Sequence, residues 1–215
     1  MLRIGFKKCI IIVVTGLWKQ GAELKKLEEM SLEELWRLFP IILREHSDDY
    51  ARWYEEEKEK LTKLLADFEI QRMNHIGSTS VEGLIAKPIV DILLELPDGY
   101  ELNRVSELLQ KSGWLLMMSD EKKQTLDLNK GYTPAGFAEK VYHLHIKVLG
   151  DWDELYFKDY LCKYSEAARQ YEELKLSLKA RYEHNRDAYT DAKTDFVRKY
   201  SQKARQEFGP RYSVK

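Results

Sequence analysis

The stretch that most restricts the fold is KPIVDILLELPDG, residues 87–99. From Pro88 to Leu96 the residues are mostly β-branched or apolar, and Pro97-Asp98-Gly99 supplies a strong turn. Apolar residues fall at both odd and even positions, so the run predicts a central strand covered at least in part on both faces. Such a strand needs neighbours in a sheet and helices to cover it. It also carries a carboxylate, Asp91, that must be paired, hydrogen-bonded or metal-bound if it is buried. Period-two geometry puts Asp91, Leu93 and Glu95 on one face, with the two acids about 13 Å apart at ~3.3 Å per residue. They are too far apart to share an ion, and Glu95, near the strand end, is expected to face solvent.

The flanking sequence supplies the cover. Leu32, Leu35, Trp36 and Phe39 recur at helical spacing before Pro40, with Ser31 and Glu34 placed as a capping box. Tyr50, Trp53, Tyr54, Leu61, Leu64, Leu65 and Phe68 form a longer stripe. The charged run Glu55–Lys60 within it reads as a solvated face. Residues 101–112 read as a helix stopped by Gly113. WLLMM, QTLDLNKGY and EKVYHLHIKVLG read as a meander of three strands. In the last, Val141, His143, His145 and Lys147 alternate with Tyr142, Leu144, Ile146 and Val148. After Gly150 two helical stripes follow, one through Ala167, Tyr171, Leu174 and Leu178, the other through Tyr189, Ala192, Phe196 and Tyr200. This order predicts an α+β domain, a mixed sheet flanked by N- and C-terminal helices.

Among 215 residues, 35 Lys and Arg stand against 36 Asp and Glu, a net charge of −1. That balance argues against an extended nucleic-acid surface and leaves any anion contact to a local site. Cys9 and Cys162 form neither a disulfide framework nor a metal spacing, which fits a reducing, cytoplasmic setting. The apolar stretch from Cys9 to Trp18 is shorter than the ~20 residues of a membrane span, and no membrane partner is expected. Residues 1–29 read as a dispensable leader, 30–209 as the domain and 210–215 as a tail.

A second motif precedes the strand. Gly77-Ser78, followed by Thr79 and Ser80, forms a turn at a short helix start, where successive N–H groups and hydroxyls suit a phosphate. His75 stands just before it and reads first as a structural histidine. His143 and His145 lie about 6.6 Å apart by strand rise, which leaves three uses open. They could co-ligate a divalent metal (Mn²⁺ or Zn²⁺ suiting imidazole better than Mg²⁺), carry protons, or line a cleft. Lys87, Lys130 with Tyr132, and Lys193 near Asp195 could reach a phosphate or base.

The segments HIGSTSVEGLIAKPIVDI, YHLHI, FKDYL and YEELKLSLKARY…AYTDAKTDFV, in that order from about Ser31 to Gly209, resemble the GrpB family. That resemblance implies a nucleotidyltransferase-like fold. In that superfamily a Gly-Ser loop holds a nucleotide triphosphate and strand carboxylates hold Mg²⁺ or Mn²⁺. It implies a nucleotide or phosphorylated small molecule as ligand, cradled by Gly77, Ser78 and Thr79, with Asp91, His143 and His145 as metal ligands or catalytic groups. One departure stands out: the superfamily's second acid, two residues after the first, is Leu93 here.

Overall fold

The computed structural model describes residues 25–214; most of the expected leader lies outside them. Helices α1 (Leu32–Leu38) and α2 (Asp49–Leu64) precede strand β1 (Arg72–Ile76) and a single 3-10 turn, Ser78–Ser80. Then come β2 (Val90–Leu96), α3 (Leu102–Lys111), β3 (Leu115–Asp120), β4 (Thr125–Thr133) and β5 (Gly136–Val148). Helices α4 (Asp153–Lys163), α5 (Ser165–Tyr182), α6 (Arg186–Asp191) and α7 (Thr194–Phe208) complete the chain. The capping box at α1 forms as expected, with Ser31 Oγ accepting from the Glu34 N–H and Glu34 accepting from the Ser31 N–H.

The strands form one mixed sheet in the order β1-β2-β5-β4-β3. β2 runs antiparallel to β1 and parallel to β5, so the apolar run has a neighbour on each side. It starts at Val90 rather than Pro88 because proline has no N–H to give a ladder. On one face Val90, Ile92, Leu94 and Leu96 join Tyr142, Leu144 and Ile146 of β5, beneath Tyr50, Tyr54 and Leu61 of α2 and Val105 and Leu109 of α3. On the other face the C-terminal helices form a smaller apolar cluster around Phe157, Leu161, Tyr171 and Tyr200. This is the expected α+β architecture.

Two local expectations fail. Glu95 is 0 % exposed rather than solvated. Antiparallel register sets it opposite Arg72, whose Nε and Nη2 donate to its carboxylate at 2.5 and 2.7 Å. The Gly150 N–H donates a third bond at 3.0 Å. A charge can be buried when geometry supplies this many donors. The Glu55–Lys60 run is also not wholly solvated. Glu57 is 1 % exposed and accepts a 2.5 Å bond from Lys130.

Candidate functional site

Gly77 and Asp91 are packed against each other. Gly77 has φ +73°, and a Cβ there would lie 2.2 Å from Asp91 Oδ2. The glycine of the turn makes room for the strand carboxylate, which links the two motifs physically. Ser80 Oγ bonds back to the Gly77 carbonyl at 2.7 Å. Thr79 is buried, and its hydroxyl donates to the Ile89 carbonyl at 3.1 Å. Its lone pair must then accept from His75 Nε2–H, 2.9 Å away. Burial pushes the His75 imidazole down to about 4, so it stays neutral and holds this bond. Thr79, expected among the phosphate donors, is therefore committed to fixing the turn, with His75 as its structural partner.

Asp91 faces His143 directly in the β2–β5 register. Burial works against the Asp91 charge, yet the His143 bond and the fields of His145 and Lys87 hold its carboxyl below the usual range. As an anion it only accepts, so His143 Nδ1–H donates to Asp91 Oδ1 at 3.0 Å. Burial lowers His143 to about 4, with Asp91 opposing. The neutral ring then accepts at Nε2 from the Tyr132 hydroxyl, 2.8 Å away. Tyr132 Oη in turn accepts from Arg186 Nη2 at 2.8 Å. A one-directional hydrogen-bond chain thus runs from guanidinium to carboxylate and leaves Asp91 Oδ2 without a hydrogen bond among the described residues.

His145 has a different fate. Burial works against its charge, but the Asp127 carboxylate at 2.6 Å from Nδ1 outweighs it and holds the imidazole above its ordinary value. The two rings lie 6.5 Å apart and nearly perpendicular. Both nitrogens of His143 are occupied, and among the described residues no three His, Cys, Asp or Glu side chains converge as a metal shell requires. Leu93 is packed with Ile76 and Leu155. Among the described residues the donor set as arranged does not fit a resident divalent metal.

These groups line a cavity of about 280 Å³ that also holds Gly77, Ser78, Lys87, Tyr171, Lys175, Arg186, Tyr189 and Lys193. The expected residues Lys87 and Lys193 are thus brought to Asp91. Lys130 is not. It donates to Glu57 and lies 5.3 Å from the Trp114 ring, under α2. A bulge between Lys130 and Tyr132 breaks the β4 alternation, so the two residues expected to flank a base face different surroundings. Asp195 is exposed and paired with Arg198.

Four cations line the cavity: Lys87, Lys175, Arg186 and Lys193. None forms a salt bridge with a carboxylate among the described residues. Lys175 donates to the Ile85 carbonyl. Burial, with Lys193 adding, pushes Lys175 down to about 7. Burial likewise lowers Lys193 to about 8, Asp91 opposing and Arg186 adding. Lys87 falls well below its range through burial and the Arg186 and Lys193 charges. Of the cavity's acids, Asp127 is balanced by His145, and Glu154 by Lys147 at 2.7 Å. Asp91 and Asp187 remain against the four cations.

Sequence reasoning missed Lys175, Arg186, Asp127 and the two tyrosines as site residues. Lys175 had a signal: it sits on the stripe of Tyr171 and Leu178, where helical spacing calls for an apolar residue. Asp127 had one too, between Leu126 and Leu128 in a strand.

Comparison with known proteins gives concordant results. The family model described as GrpB protein matches residues 40–203. The UPF0157 protein PA4798 of Pseudomonas aeruginosa is 37% identical over 126 residues, 58% of this chain and 52% of that protein. The UPF0157 protein YqkA of Bacillus subtilis is 28% identical over 194 residues, 86% of this chain and 54% of that protein. The chain thus spans about half the length of these two relatives. The crystal structure of GrpB from Enterococcus faecalis superposes with TM-score 0.66 at 27% identity, over 78% of this chain and 99% of that one. With the family match running from Pro40 in the α1–α2 connection into α7, over more than half of the chain and over every residue that lines the cavity, the chain belongs to the GrpB family.

Proposed function

We propose that the chain binds a nucleotide or another phosphorylated small molecule in the cavity between the sheet and α5–α7. The observation that carries this reading is the set of four cations, Lys87, Lys175, Arg186 and Lys193, gathered without carboxylate partners. Burial first, and then the like charges of their neighbours, push these ammonium groups down, so holding them charged here carries a cost. A phosphate supplies the missing anion. Ser78 and Gly77 stand at the same wall, beside Asp91. The rings of Phe157, Tyr171 and Tyr189 offer apolar surface for a base or sugar.

Transfer of a nucleotidyl or phosphoryl group extends this reading. Asp91 Oδ2 is the carboxylate oxygen available to take a proton from an acceptor hydroxyl. Binding without turnover is the second reading, and Leu93 favours it, because the position of a second metal-binding acid is core here. A thermal-shift panel of ATP, ADP, AMP and pyrophosphate, each with and without Mg²⁺, Mn²⁺ or Zn²⁺, tests the proposal. A ligand at 100 times its Kd stabilises by about 2.7 kcal/mol, worth roughly 5–10 °C for a domain of this size. Indifference to every phosphate probe overturns the binding reading. Stabilisation with no release of phosphate or pyrophosphate over hours favours binding alone.

A further inference from the structure

The hydroxyl of Tyr189 has no use in the protein as it stands. Tyr189 lies on α6, is 0 % exposed, and packs with Ile41 and Leu178. Its oxygen is buried and has no hydrogen-bond partner among the described residues. A phenylalanine would fill the same space without that cost, since a buried hydroxyl lacking a partner is unfavourable by about 1–3 kcal/mol. The ring forms part of the cavity wall. Two ammonium groups flank it: Lys193 Nζ lies 4.4 Å and Lys87 Nζ 5.9 Å from the ring centroid. Burial, with the neighbouring Tyr171 adding, pushes the Tyr189 hydroxyl up, so it keeps its proton and can donate.

We propose that Tyr189 is a ligand-binding residue whose hydroxyl donates to an anionic oxygen of the bound phosphate, the ammonium groups of Lys87 and Lys193 standing near the same ring. This rests on the reading of the cavity as a phosphate site. A hydroxyl donor on a ring that two ammonium groups approach favours an oxyanion over a cationic group, since the same two basic side chains repel the latter. The ligand end that reaches α6 is therefore the phosphate, and Tyr189 helps to set which anion is accepted.

The test compares wild type with Tyr189→Phe, and uses Tyr182→Phe as a control outside the cavity. ATP and pyrophosphate are the probes, titrated calorimetrically, and the ligand-free proteins are melted alongside. Loss of a hydrogen bond to a charged group predicts affinity weaker by about 10- to 150-fold in Tyr189→Phe, with unchanged affinity in the control. The ligand-free Tyr189→Phe protein should melt at or above the wild-type temperature, because no internal bond is lost. Wild-type binding with unaltered Tyr189→Phe affinity overturns this inference alone. A ligand-free Tyr189→Phe protein that melts lower, with affinity unchanged, assigns the hydroxyl to the fold through an ordered water and also overturns it. Failure of wild type to bind either probe overturns the phosphate-site reading and this inference with it.

Discussion

Replacing Gly77 with alanine tests the contact that joins the turn to the strand. Gly77 has φ +73° and ψ −171°, a region open to glycine and strained for other residues by about 1–3 kcal/mol. The added Cβ would also sit 2.2 Å from Asp91 Oδ2 and 2.9 Å from its Cγ. Asp91 cannot stay there. Moving it breaks the bond from His143, a charge-assisted bond worth about 1.5–3 kcal/mol. Together these terms predict that Gly77→Ala destabilises by about 3–6 kcal/mol, a large part of the ~5–15 kcal/mol that holds a typical domain. Asp91→Ala alone should cost about 1–3 kcal/mol, since the His143 N–H loses its acceptor. In the double variant the clash has largely gone, so its cost should fall short of the sum of the singles by about 1.5–3 kcal/mol. Urea midpoints at constant slope give all three values. Strict additivity, or a Gly77→Ala cost below about 1 kcal/mol, would refute the argument that the turn glycine exists to seat the carboxylate.

Two further perturbations read other parts of the fold. Arg72→Met strands the Glu95 carboxylate in the core and should destabilise by about 3–5 kcal/mol in urea melts; a loss under ~1 kcal/mol would refute the reading that Arg72 is what allows Glu95 to be buried. His75 is lowered from 6.5 to about 4 in the folded state. The unfolded chain therefore binds the extra proton between pH 6.5 and 4, and stability falls through that window by up to about 3 kcal/mol, then levels. His143 is lowered to about 4 as well and adds to the same window, so His75→Gln, which keeps a donor for Thr79 and cannot titrate, should remove only its own share of the slope; a slope unchanged from wild type would show that His75 charges freely in the fold.

The sheet was legible because one rule, alternation, acts locally. Leu144 and Ile146 point to α2 and α3 while His143 and His145 point away, as their spacing requires. The same rule applied to β4 would have placed Asp127 beside His145. It misled at Lys130 and Tyr132, because Gly131 sits at a bulge. The register shift there parts the two side chains, and the backbone passes so close to Lys140 that a Cβ at residue 131 would lie 2.3 Å from its carbonyl oxygen, which glycine avoids. Glu95 was misread for another reason. Its partner, Arg72, lies on a strand that pairs only in the folded register, and nothing local announces an antiparallel neighbour. Lys175 and Arg186 reach the cavity from helices whose docking is set by the tyrosine and phenylalanine cluster, a tertiary fact that no local period contains.

The two halves of the cavity are consequently built by different means. Asp91, His143, His145 and Asp127 project from three adjacent hydrogen-bonded strands, so backbone pairing fixes their spacing. The cations come mainly from elsewhere: Lys87 from the segment before β2, Lys175 from α5, Arg186 from α6 and Lys193 from the α6–α7 junction. Arg186 is tied back to the strands through Tyr132 and His143, so the guanidinium and Asp91 are held in fixed relation. Among the described residues Lys87 and Lys193 have no such hydrogen-bonded tether, and their long stems could follow an anion over several ångströms. A second acid next to Asp91 on the same face of β2 would have to replace core at Leu93. Leu93 is 0 % exposed and packed with Ile76 and Leu155, and a carboxylate there would be desolvated within that apolar contact. The strand framework thus holds one carboxylate at the turn through one imidazole, and in the proposed phosphate site the contacts to the anion would fall to side chains that can move.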